Sequence, residues 1–86
     1  MKEFTYTIKD ALGIHARPAG MLSKKAKSYA DTAVTISANG KTVNLGQLMK
    51  LMALGVKQGT EVTITCDGAN EEEAAAGLKQ FLEENL

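Results

Sequence analysis

Cysteine, proline and histidine each occur once in these 86 residues, and tryptophan not at all. A lone thiol, Cys66, cannot close an internal disulfide or supply a multi-cysteine zinc site; a reducing cytoplasm is the expected compartment. An excess of either charge is also missing. Ten basic residues balance ten acidic ones, which argues against a nucleic-acid partner and against an anionic membrane surface. No apolar run is long enough to insert across a bilayer. An alternating pattern sets in at once after Met1, so no signal peptide is expected. Linkers, repeats and low-complexity stretches are absent. The length suits one domain over residues 1–86, with a modest core and a single two-layer packing.

What is present is clear periodicity. Phe4, Tyr6 and Ile8 alternate with polar neighbours, as do Val34 and Ile36, and Val62, Ile64 and Cys66. A period of two marks strands with one buried face. Asn39-Gly40 after the second such run predicts a hairpin, with residues 41–45 as the return strand. One-sided strands suit an antiparallel sheet with one face in water. Between them, Ala19, Leu22, Ala26 and Tyr29 recur at helical spacing and predict a helix over residues 16–29. A short second helix is expected over 46–54, closed by Gly55. A third follows Asn70, the expected N-cap, with Glu71, Glu72 and Glu73 in its first turn, where the helix dipole favours negative charge. Its buried stripe would be Ala74, Leu78, Phe81 and Leu82. The order β-α-β-β-α-β-α reads as an α+β open-faced β-sandwich. Four antiparallel strands would carry three helices on one face.

The stretch that could do chemistry is Gly13-Ile14-His15-Ala16-Arg17-Pro18. Pro18 is tolerated in a first helical turn, because N–H groups there lack helical partners anyway. His15 therefore lies at or just before the N-terminus of the first helix. Those unpaired N–H groups and the positive end of the dipole favour an anion. A neutral imidazole is nucleophilic at one ring nitrogen and forms covalent intermediates. Arg17 adds a planar, permanently charged donor matched to phosphate oxygens. Nucleophile, anion cradle and charge clamp thus fall within three residues. The same residues equally suit an ordinary surface histidine and an exposed arginine.

Residues 13–18 resemble the active-site signature of HPr, the histidine-containing phosphocarrier family of the bacterial sugar phosphotransferase system. Asn39-Gly40-Lys41, Asn44-Leu45, Leu48-Met49, Met52-Ala53-Leu54-Gly55 and Gly59 resemble that family's central hairpin, second helix and following turn. The likeness covers essentially the whole chain. It implies that His15 takes a phosphoryl group on Nδ1 and that Arg17 stabilises it, with Ala16 and Pro18 completing the phosphate site. It implies enzyme I as donor, enzyme IIA domains as acceptors, no cofactor or metal, and a carrier rather than an independent enzyme. A carrier or phosphorylation-dependent regulator in a non-sugar relay, for example a nitrogen-linked one, is the alternative. One departure stands out. Where many family members carry a regulatory serine at the start of the second helix, this chain has Gln47, which cannot accept a phosphoryl group.

The second helix has apolar groups on two sides. Leu48 and Leu51 can face the sheet, while Met49 and Met52 point elsewhere. Met21, one turn beyond Arg17, can extend the same surface. Flexible methionines suit a surface that meets several partners in turn. The expected docking residues are therefore Met21, Leu48, Met49 and Met52 on a monomeric carrier. Cys66 is expected to be an inert core thiol, Glu71–Glu73 a solvated helix start rather than a metal site, and Gly55 and Gly59 the frame of a turn.

Overall fold

The computed structural model describes residues 1–29 and 31–86. Its elements run β1 (Lys2–Thr7), α1 (Ala16–Lys27), β2 (Thr32–Ala38), β3 (Lys41–Asn44), α2 (Leu48–Ala53), β4 (Glu61–Gly68) and α3 (Glu71–Asn85). The strands form one sheet in the order β1-β4-β2-β3, with every neighbouring pair antiparallel.

Register explains why the sheet has a dry side and a wet side. Ile64 stands opposite both Phe4 and Ile36, and Cys66 opposite Val34, so the inward residues of β2 and β4 meet one another. Val34, Ile36, Val62, Ile64 and Cys66 are all buried. The alternate positions line up Thr5, Thr63, Ser37 and Thr42 across all four strands. Side-chain hydroxyls, including the Ser37–Thr42 pair at 2.6 Å, occupy that outer face and stabilise it by cross-strand contact. The helices cover the dry side with Ala19, Leu22 and Ala26 from α1, Leu51 from α2, and Ala74, Leu78, Phe81 and Leu82 from α3. Burial pushes the Cys66 thiol upward from its ordinary range, which leaves little thiolate to react.

Three expectations need correction. The first concerns α1, which ends at Lys27 and not at residue 29. The Ser28 N–H and hydroxyl both turn back to the Lys25 carbonyl, and Tyr29 packs partly buried against the core.

The second concerns α2, which starts at Leu48, two residues late. Leu45 is completely buried, and its N–H still bonds the Val34 carbonyl at 3.0 Å. The chain must then turn, and the Asn44 side chain accepts the Gly46 N–H at 2.8 Å to close that turn.

The third concerns Leu48, which does not face the sheet. It is 39% exposed, whereas Leu51 is 1% exposed.

Asn70 is the N-cap residue of α3, as expected, although its side chain makes no capping bond. Glu71, the first residue of that helix, accepts the Gly68 N–H at 3.3 Å and pairs with the Met1 ammonium at 2.7 Å. That hydrogen-bonded ammonium, with the Gly68 N–H, holds the Glu71 carboxyl below its usual range.

Gly77, unfavourable in a helix on propensity alone, has a tertiary reason. A Cβ there would overlap the Tyr29 hydroxyl.

Candidate functional site

The loop from β1 to α1 is built by short-range bonds. The Asp10 carboxylate accepts the Leu12 N–H at 2.8 Å, and the Asp10 carbonyl accepts the Gly13 N–H at 2.9 Å. An aspartate bonding the backbone two residues on is a turn-forming device. The Leu86 carbonyl accepts the N–H groups of Lys9 at 2.6 Å and Asp10 at 2.8 Å, so the end of α3 holds the start of the loop. Gly13 adopts φ +68° against the Val56 carbonyl. Ile14 plugs into the core and donates to that carbonyl at 3.2 Å. The backbone on both sides of His15 is thereby fixed.

His15 is the N-cap residue of α1 in an extended conformation, φ −101° and ψ 176°. Its carbonyl accepts the Ala19 N–H at 2.9 Å, but its side chain makes no capping bond. The imidazole therefore remains available. Its Nε2 lies 3.7 Å from an Asp10 carboxylate oxygen, and the ring is about one-third exposed. Ala16 and Arg17 open the helix, and their N–H groups have no carbonyl one turn earlier to bond. Pro18 is buried and has no N–H, so it offers an anion no backbone donor. Arg17 is exposed, and its guanidinium makes no ion pair or hydrogen bond with any described residue. A shallow open depression of about 350 Å³ is lined by Asp10, His15, Arg17, Pro18, Met21 and Asn85. A nucleophilic ring nitrogen, two free N–H groups and a free guanidinium at its rim can receive a compact dianion.

The helix-start geometry and the six-residue signature agree with a match to a family model. That model, described as the PTS HPr component phosphorylation site, matches residues 2–84. The chain belongs to the HPr family. It is 41% identical over 85 residues to a phosphocarrier protein HPr of Mycoplasma genitalium, covering 99% of this chain and 97% of that one. The fold superposes with a TM-score of 0.92 on a Mycoplasma histidine-containing phosphocarrier protein at 40% identity, covering 96% of this chain and 93% of that one. Crystal structure HPr-C-His from Thermoanaerobacter tengcongensis gives a TM-score of 0.91 at 37% identity, covering 96% and 92%. The open sheet with three helices derived above is the HPr architecture.

The large exposed apolar side chains are unevenly placed. Apart from Met1, those among the described residues are Leu12, Met21, Leu48, Met49 and Met52, on the His15 loop, α1 and α2. Met49 is the most open at 81%. The two helices pack against each other, and Met21 lines the same depression as His15. Of the residues expected from the sequence, the depression brings together His15, Arg17, Pro18 and Met21, while Ala16, Leu48, Met49 and Met52 do not line it; Asp10 and Asn85, which the sequence reading did not name, do. Only Asp10 left a signal, the Asp10-x-x-Gly13 spacing of a side-chain-closed turn.

Proposed function

We propose that this single-domain HPr-family protein carries a phosphoryl group on His15. It takes the group from enzyme I and gives it to enzyme IIA domains of the phosphoenolpyruvate-dependent sugar phosphotransferase system. The observation that carries this reading is an N-cap histidine that does not cap, set in the depression beside an unpaired arginine. The Nδ1 lone pair attacks phosphorus, the N–P bond forms, and the bond from phosphorus to the donor breaks. The N–H groups of Ala16 and Arg17 and the Arg17 guanidinium take the negative charge on the phosphoryl oxygens. Nothing in this chemistry requires a cofactor or metal.

An open site one-third exposed suits a carrier better than an independent enzyme, because the partner's active site must close over the phosphate to complete the transfer. Met21, Leu48, Met49 and Met52 supply the apolar surface on which such partners dock. The protein works as a cytoplasmic monomer, since both partners must reach the same face in turn. The test is sequential transfer. Phosphoenolpyruvate and enzyme I should load one acid-labile phosphate, and an added enzyme IIA domain should remove it. A protein that stays unmodified in the first step rules the reading out.

A further inference from the structure

The site holds one charged group that neither the cradle nor the docking surface uses. Asp10 is held at three points. Its N–H donates to the Leu86 carbonyl at 2.8 Å, its carbonyl accepts from Gly13 at 2.9 Å, and its Oδ1 accepts from Leu12 at 2.8 Å. Only Oδ2 is left over, and it faces His15 Nε2 at 3.7 Å. The side chain is about 29% exposed, so its charge is partly shielded from water. Among the described residues, Arg17 is the only other charged one lining the depression.

From this geometry we infer that Asp10 is the positioning residue of His15. It keeps the neutral ring's proton on Nε2, so that Nδ1 presents its lone pair to the phosphoryl group. The inference rests on reading His15 as the phosphoryl acceptor. The partner of one imidazole nitrogen decides what the other can do. A carboxylate beside Nε2 accepts only from N–H, which leaves Nδ1 bare. During attack, Nδ1 gives its electron pair to phosphorus and the bond to the donor breaks. The Nε2 proton stays in place, so the ring itself becomes cationic. Asp10 then faces a developing positive charge, and the gap of 3.7 Å can tighten as that charge forms. On return transfer the electron pair goes back to Nδ1 and the charge disappears.

A purely structural Asp10 would matter only through its bond to the Leu12 N–H, and two substitutions separate the possibilities. In Asp10→Asn the amide oxygen keeps that turn bond, which leaves the NH2 group, a donor, facing Nε2. The ring must then accept at Nε2 and carry its proton on Nδ1, the nitrogen that should attack. In Asp10→Ala the turn bond is lost, but nothing forces the wrong tautomer. A positioning role therefore makes Asn the worse substitution, and a turn-forming role makes Ala the worse one.

The experiment measures single-turnover phosphoryl transfer from phosphorylated enzyme I, with ¹⁵N spectra of the neutral His15 ring on the same proteins and thermal melts to confirm folding. Asp10→Ala should slow transfer about ten-fold, by analogy with loss of the carboxylate that orients a metal-bound imidazole. Asp10→Asn should slow it on the order of a hundred-fold and move the ring proton to Nδ1. Asp10→Asn transferring like the unmutated protein, or faster than Asp10→Ala, overturns the inference, as does an unchanged tautomer. The spectra need no partner protein, so they test Asp10 even if the unmutated chain takes no phosphate, an outcome that would instead remove the carrier reading.

Discussion

Gly13 lies so close to Val56 that no side chain fits between them. A Cβ on Gly13 would penetrate the Val56 carbonyl, and the residue holds φ +68° in the region that favours glycine. The next residue, Ile14, donates its N–H to that same carbonyl at 3.2 Å. The Val56 carbonyl is thus one of the points, with the Ile8 bonds to Gly59 and Thr60, that register the loop carrying His15 against the segment between α2 and β4.

Gly13→Ala should therefore lower stability and displace the histidine. Left-handed strain contributes about 1–3 kcal/mol, and the overlap adds to it. Chemical denaturation measures the first effect. Phosphoryl transfer per folded molecule measures the second, and it should fall as well, because the shift propagates two residues to His15.

Arg17→Ala should fold like the unmutated protein, since the side chain is exposed and makes no ion pair or hydrogen bond among the described residues. Transfer should slow in both directions by about ten-fold to a hundred-fold. That range is at or below the range for one electrostatic donor, because solvent screens an exposed guanidinium. Stopped-flow transfer with titrated enzyme I separates rate from affinity. A change in affinity alone would count against a role at the developing charge.

Met49→Glu and Met52→Glu should weaken binding to enzyme I or an enzyme IIA domain while leaving the melting temperature nearly unchanged. The same substitution at Leu51, which is 1% exposed, should unfold the domain, because a buried unpaired charge is not tolerated. Calorimetric titration beside thermal melts gives both readouts. Unfolding caused by Met49→Glu would place that methionine in the core and contradict the docking surface.

Gln47 is the N-cap residue of α2 and uses no side-chain bond there. A kinase that modifies the family's regulatory serine should leave this protein unmodified in the presence of ATP. Gln47→Ser should accept the phosphate and should stabilise the helix start by a fraction of a kcal/mol up to about 1 kcal/mol, since serine is a preferred cap. Phosphopeptide mapping checks both. An acid-stable phosphate between residues 42 and 55 of the unmutated chain would show that regulation acts at another position.

Much of this was legible in the sequence, and the gaps have physical causes. Val62, Ile64 and Cys66 alternate over a strand long enough to fix its phase, and all three are buried. The stripe Ala74, Leu78, Phe81 and Leu82 spans enough turns of α3 to identify the buried side. Helix α2 has only six residues, under two turns, so periodicity could not decide which way Leu48 points. Helix ends depend on single turn bonds, such as Asn44 to Gly46, which override propensity. His15 was placed at the helix entry by Pro18 and the loop before it. Asp10 was not singled out because its second carboxylate oxygen gains meaning only when the loop folds back beside the ring. Gly77 is unfavourable for a helix by propensity alone, and only the fold, which brings Tyr29 against it, gives it a reason.

The central claim is tested most directly by intact-mass measurement of the unmutated protein and His15→Ala, each incubated with phosphoenolpyruvate and a catalytic amount of enzyme I. The ring of His15 is about one-third exposed and makes no capping bond, so its removal should leave the fold intact. The unmutated protein should gain the mass of one phosphoryl group, lose it on brief acid treatment, and show phosphorus on the imidazole by ³¹P spectroscopy. His15→Ala should gain nothing while melting at nearly the same temperature. A folded His15→Ala protein that still takes up an acid-labile phosphate would contradict the assignment of His15 as the carrier residue.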